Sequence, residues 1–162
     1  MKIILIISVI TTSGLIGINI KNKYQNEYLF YKFLKDFHQY VVSNITLFKN
    51  NIVEIIDNYI IMHKNKNAKY INLFLKNSNI YTYNKEFLNK YITNSENSFI
   101  ILEYLNNLGK GEYLFEKEKI DNFSVLLDKR IEDSSYELKN KGELYFKLLL
   151  AIGSIVAIII WW

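Results

Sequence analysis

Leu148-Leu149-Leu150-Ala151-Ile152-Gly153-Ser154-Ile155-Val156-Ala157-Ile158-Ile159-Ile160-Trp161-Trp162 decides how this chain is read. The run holds no charge and no proline, and the residues before it continue a helical pattern back to Glu112 without a linker. A polar–apolar helix that passes straight into a membrane-type segment places whatever precedes it beside a bilayer. The other end of the chain mirrors this one. Met1-Lys2 leads into Ile3–Ile20, eighteen uncharged residues at the lower limit for crossing a bilayer. A cleaved signal peptide is the competing reading of that stretch. No Ala-x-Ala site follows it, however, and the helical pattern continues past Asn19, so a retained anchor is expected. Small residues four apart, Ser13 with Gly17 and Gly153 with Ala157, would let helix backbones approach closely in lipid. Each pair alone is too common a pattern to carry weight.

Between the two apolar ends, residues 21–147 are enough for one helical core. Half of the 162 residues are hydrophobic and 22% are charged, which excludes both a disordered chain and one wholly embedded in membrane. Cysteine is absent, so disulfides and thiolate metal sites are excluded. Proline, the strongest helix breaker, is absent too. Charge is uneven: Lys21–Lys90 holds eleven lysines against five acids, and Glu112–Glu143 nine acids against six basic residues. With a single arginine and lysines scattered among acids, the pattern is not that of a nucleic-acid surface. Solvated helical faces explain it, with a basic surface near anionic lipid or an acidic partner as the alternative.

Apolar positions Tyr24, Tyr28, Tyr31, Leu34, Val41, Ile45 and Phe48 recur at spacings that mark one face of a long helix. His38 falls on the same stripe and reads as a satisfied core histidine rather than a ligand. Asn50 or Asn51 can cap the next helix, Ile52–Met62, which turns Ile52, Ile55, Ile56, Tyr59 and Ile60 inward. After a polar loop at His63–Asn67, short helices are expected at Ala68–Lys76 and near Asn84–Ile92. Asn94–Asn97 is a break. A helix over Ser98–Leu108 would turn Phe99, Leu102, Leu105 and Leu108 inward, with Gly109 at the left-handed position that ends it. The final helix carries Phe115, Ile120, Phe123, Leu127, Ile131 and Leu138. Strand signals are weak, with Ile80–Tyr83 ambiguous.

Chemistry-bearing motifs are scarce. The chain has no glycine-rich phosphate loop, no nucleophile elbow and no His/Glu pair at metal spacing, and His38 and His63 stand apart. Glu116, Glu118 and Asp121 are close in sequence, but carboxylates interspersed with lysines on a helix usually form a solvated face. No catalytic residue, metal or cofactor is expected.

Several positions together resemble the stage III sporulation protein AB family, small membrane proteins of endospore-forming bacteria. The family opens with an apolar anchor, then a tyrosine and a long helix, and Tyr24, Leu34, Val41 and Ile45 fall in register with it. That helix closes in the family on a Glu-Ile-x-Tyr-x-x-Thr-Pro-Leu type segment. Here the segment is Asn44–Ile52, where Ile45 and Ile52 match, while Asn44 and Asn51 replace the glutamate and proline. Glu27 stands where a basic residue is usual. Toward the other end the family carries Leu-Gly, an acid, a polar residue four further on, a long helix, Leu-Tyr and an apolar tail. The corresponding residues are Leu108-Gly109, Glu112, Glu116, Leu144-Tyr145 and Leu148–Trp162, with Phe146 in place of the common arginine.

The resemblance implies an all-α bundle similar to the F platform protein of type II secretion, with membrane helices at both ends. It also implies a non-catalytic role in the channel between mother cell and forespore, beside a soluble AA-type secretion ATPase and other membrane proteins of that channel. Tyr24, Leu34, Val41, Ile45, Leu108, Gly109, Glu112, Glu116, Leu144 and Tyr145 are the expected structural or interface positions. No small-molecule substrate and no nucleic acid is implied. The expected layout is an anchor at 1–20, a cytoplasmic bundle at 21–147 and a membrane segment at 148–162. The positive-inside bias agrees, because Lys21, Lys23, Lys32 and Lys35 follow the first anchor and Lys139, Lys141 and Lys147 precede the second. The alternatives are a stator or tether similar to the b subunit of rotary ATP synthases, which lacks a second membrane segment, and a membrane enzyme acting on lipid.

Overall fold

Proline-free, strongly periodic sequence folds into long uninterrupted helices. The computed structural model describes residues 2–48, 51–63, 68–77, 80–108 and 113–162, with 46–48 and 113–117 described by backbone alone. Helix α1 runs Lys2–Phe48, α2 Ile52–His63, α3 Lys85–Tyr91, α4 Ser95–Asn107, α5 Tyr113–Glu137 and α6 Glu143–Trp161. Leu138–Gly142 is a π-helical turn that joins α5 to α6, so helix is continuous from Tyr113 to Trp161. The fold is an all-α bundle whose two terminal helices are long and apolar enough to cross a membrane by length and composition.

Asparagine chemistry sets the shorter helices. The Asn51 side chain accepts from the Val53 N–H (3.0 Å), as expected for a cap on α2. Asn84 caps α3 by accepting from the Phe87 N–H (3.0 Å). The Asn94 side chain accepts from the N–H groups of Glu96 (2.9 Å) and Asn97 (3.3 Å). That cap starts α4 at Ser95, so most of the expected Asn94–Asn97 break is its first turn. Asn50, the loop at 64–67, Ser78-Asn79 and the expected Gly109 helix stop lie outside the described residues.

Two expectations fail. Ala68–Lys76 is not an α-helix: Ala68–Leu73 is a 3₁₀ helix and Phe74–Asn77 is strand β1, paired antiparallel with β2, Ile80–Tyr83. The register sets Phe74 opposite Tyr83 and Lys76 opposite Tyr81. A lone hairpin is marginal in water. This one is held by Phe74, buried and within ring contact of Phe33, Phe37 and Tyr59, and by Asp57 of α2. The Asp57 carboxylate accepts from Lys76 Nζ (2.7 Å) and from the Tyr81 hydroxyl (2.6 Å), and the Lys76 ammonium draws its pKa below the usual carboxylate value. The second failure is Phe99, which is 65% exposed. The buried residues of α4 are Asn97, Ser98, Ile101, Leu102 and Leu105, a stripe centred on 98, 101 and 105 that leaves Phe99 outside.

The chain falls into two compact units, residues 1–29 with 131–162, and residues 30–130. The core of the second unit is built on α1. Phe30, Tyr31, Phe33, Leu34, Phe37, His38 and Val41 are each at most 2% exposed. Around them pack Ile55, Ile56 and Tyr59 of α2, Tyr70, Leu73 and Phe74, and, from the later helices, Leu88, Ile101, Leu105, Phe123 and Leu127. Aromatic rings dominate one part of it. Phe30 stacks on Tyr91 (4.9 Å between centroids), Phe33 lies 4.7 Å from Tyr70, and Phe37 meets Tyr59 edge-on at 5.0 Å.

Candidate functional site

The first unit pairs the start of α1 with α6. Residues close to one another run in opposite directions along the two helices: Ser13 lies against Gly153, Gly14 against Leu150, Gly17 against Phe146 and Tyr24 against Gly142. The helices are therefore antiparallel, and glycines mark where they touch. A Cβ placed on Gly17 would sit 3.2 Å from the Phe146 Cα, and one on Gly153 would land on the Ser13 hydroxyl and 2.9 Å from its Cβ. Gly17, Gly153 and Ala157 are buried while Ile3, Ile4, Leu15, Ile158 and Ile159 stand exposed. Both small-residue pairs singled out in the sequence thus lie along one seam, joined by Gly14 and Gly142. The Gly142 contact coincides with the π turn, where the continuous helix widens. Polar side chains on α1 satisfy themselves: the Thr11 hydroxyl donates to the Ile7 carbonyl (2.8 Å) and Thr12 to that of Ser8 (2.8 Å). Near the end of the seam, the Lys21 ammonium lies 5.9 Å from the centre of the Phe146 ring.

In the second unit a cavity of about 400 Å³ opens between the end of α1, α4 and α5. Its walls are Ile45, Ile100, Leu108, Ile120, Phe123 and Leu126. Tyr104 joins them, its ring stacked on Phe123 with centroids 3.5 Å apart and 11° between planes. The Tyr104 hydroxyl meets Nδ1 of His38 at 2.8 Å. His38 is 2% exposed, and burial lowers its pKa to about 4; Lys35 pushes the same way, against the opposing pull of Asp121 and Asp128. It is therefore neutral at pH 7, a satisfied core residue as its place on the helical stripe implied. The remaining lining residues, Glu103, Asn107, Lys119 and Asn122, are polar and reach the surface.

The expected interface residues separate into these two places. Ile45 and Leu108 come together in the cavity wall, brought from positions far apart in the chain. Tyr24 packs beside Gly142 in the helix pair, and Leu144 and Tyr145 are exposed on α6 (52% and 46%). Leu34 and Val41 are core residues at 1% and 0%. Gly109 and Glu112 lie outside the described residues, and Glu116 is placed in α5 by its backbone only. Sequence reasoning missed Gly14, Gly142, Tyr104 and the cavity. Gly142 carried a readable signal, a glycine inside an otherwise unbroken helical pattern, which usually marks a close approach. Among the described residues no group of three or more His, Asp or Glu side chains is placed to hold a metal ion. No family model, curated protein or solved structure matches the chain.

Proposed function

We propose that this protein is a non-catalytic membrane platform: a helical body held at the bilayer by a hairpin of its two apolar helices. The observation that carries this reading is the inversion of burial in the helix pair. Glycine and alanine fill its seam while large aliphatic side chains face outward, an arrangement that suits lipid as the surrounding solvent. Such a surface left in water would be a large aggregation-prone patch. In this reading residues 21–147 are cytoplasmic, following the flanking lysines. The family resemblance extends the proposal to a sporulation channel. There the body would couple a soluble secretion-type ATPase to partners in the mother-cell membrane facing the forespore, with exposed Leu144 and Tyr145 available to those partners.

Because the chain has no cysteine, a single introduced one reports topology cleanly. Asn72→Cys, at a position outside the buried core, is expected to resist an impermeant thiol reagent in whole cells and to react once the membrane is permeabilised. Ready labelling of intact cells would overturn the cytoplasmic placement. The coupling role is tested with the full chain in lipid nanodiscs. A soluble AA-type secretion ATPase should bind these discs and not empty ones, and equal binding to both would remove the platform function.

A further inference from the structure

The second unit holds a cavity that a platform role does not use. We propose that it binds the acyl chain of an amphiphile, with the polar end left at the surface beside Glu103, Asn107, Lys119 and Asn122. This inference goes beyond the platform function and rests on its membrane reading for the source of the chain.

Three features lead there. The apolar walls are largely aliphatic, with Ile45, Ile100, Leu108, Ile120 and Leu126 beside the Tyr104 and Phe123 rings. Of the lining side chains that are not exposed, Tyr104 alone carries a hydrogen-bonding group, and its hydroxyl meets His38. A polar group carried inside would lose its water without gaining a partner, so the enclosed part of a ligand is hydrocarbon. Next, Tyr104 and Phe123 lie face to face with each other. Stacked on each other, the two rings leave no gap between them for a planar ring system to enter. A flexible aliphatic chain needs none. Finally, the four polar lining residues reach the surface, so a ligand must also tolerate water where it meets them. A volume of about 400 Å³ falls in the range of small-molecule sites. A hydrocarbon chain with one polar end meets all three conditions, and the membrane reading proposed above puts such molecules within reach.

The acyl chain can come from a free fatty acid or from a membrane phospholipid, and photochemical labelling separates the two. The full chain in nanodiscs is irradiated with either a diazirine-bearing fatty acid or a phospholipid bearing the same diazirine on one acyl chain, and labelled residues are located by mass spectrometry. Labelling of the Ile100–Leu108 and Ile120–Leu126 segments is expected, in addition to labelling of the apolar ends. A label from the fatty acid alone identifies a free fatty acid as the ligand, and a label from the phospholipid identifies a phospholipid acyl chain. Leu126→Trp fills the cavity and should remove the label there while the ends stay labelled, and Ile100→Phe provides a second, milder filling. Retention of the label in both filled variants would mean reaction at the outer surface and would overturn the proposal. So would unlabelled cavity segments in the unaltered chain beside well-labelled ends. If neither region is labelled, the cavity proposal fails together with the membrane reading; loss of the cavity label alone leaves that reading intact.

Discussion

The two units bury opposite kinds of side chain. Residues 30–130 hide their largest groups, with Phe30, Tyr31, Phe37, Tyr59 and Leu34 at most 1% exposed. The helix pair of the other unit hides Gly17, Gly142, Gly153 and Ala157, and exposes Ile4 at 74% and Ile159 at 68%. A core in water is stabilised by removing apolar area from solvent, so large residues go inside. Between helices surrounded by lipid that driving force is absent. What remains is close packing, which favours residues without bulk at the contact. One chain therefore shows two burial patterns, one that of a core in water and the other one that suits lipid.

The deepest way to break this comparison is to empty the core of residues 30–130. Leu127 of α5 is 0% exposed, and Leu127→Ala is expected to cost about 2–5 kcal/mol. Chemical denaturation of the full chain in mild detergent, followed by circular dichroism, would read this as a lower midpoint. A cost within about 0.5 kcal/mol, usual for surface positions, would place α5 wrongly in the core.

Acid should probe the same core next. Folding lowers the His38 pKa from 6.5 to about 4, so the unfolded chain binds the proton first as pH falls. The histidine's contribution is whole above pH 6.5 and is lost progressively between 6.5 and 4, by up to about 3 kcal/mol. Carboxylates titrate in part of that window. The stability difference between the unaltered chain and His38→Gln, followed against pH, isolates the histidine; a difference that stays flat from 6.5 to 4 would contradict a buried neutral imidazole.

A third test moves to the helix pair. Gly17→Leu puts bulk where the Phe146 backbone is 3.2 Å from a new Cβ and is expected to weaken the pairing by about 1–3 kcal/mol. Hydrogen exchange in nanodiscs should show faster opening of the paired segments, with α2 and α4 unaffected. The exposed neighbour Leu15→Ala is the control, and equal effects of the two substitutions would dissolve the distinction between seam and outer face. The smallest expected effect is at Phe99, where Phe99→Ser should change stability by no more than about 0.5 kcal/mol. A large loss there would restore the inward orientation that its spacing implied.

Much of the architecture is legible in the residues alone, because helical periodicity and uncharged runs are local properties. The stripe Tyr31, Leu34, His38 and Val41 is buried as its spacing implied, and Asn51 caps α2. The β-hairpin is not legible in that way. Phe74–Asn77 carries no strong strand pattern, and its conformation depends on Phe74 reaching the aromatic cluster and on Asp57 holding Lys76 and Tyr81. Phe99 misleads for a related reason: three-residue spacing admits neighbouring stripes, and packing chose the one through Ser98 and Ile101. The cavity is invisible in the sequence, since Ile45 and Leu108 become neighbours only when α1, α4 and α5 meet.

Residue types and local spacing were thus enough for the long helices, their apolar ends and the absence of cysteine chemistry. It took the packed molecule to decide that Ser13 meets Gly153 and Gly17 meets Phe146, that the Tyr104 hydroxyl reaches His38, and that α4 and α5 leave space beside them. Those facts depend on where one helix crosses another. A helix pattern gives the direction of each side chain around its own axis, but not the partner that direction will meet.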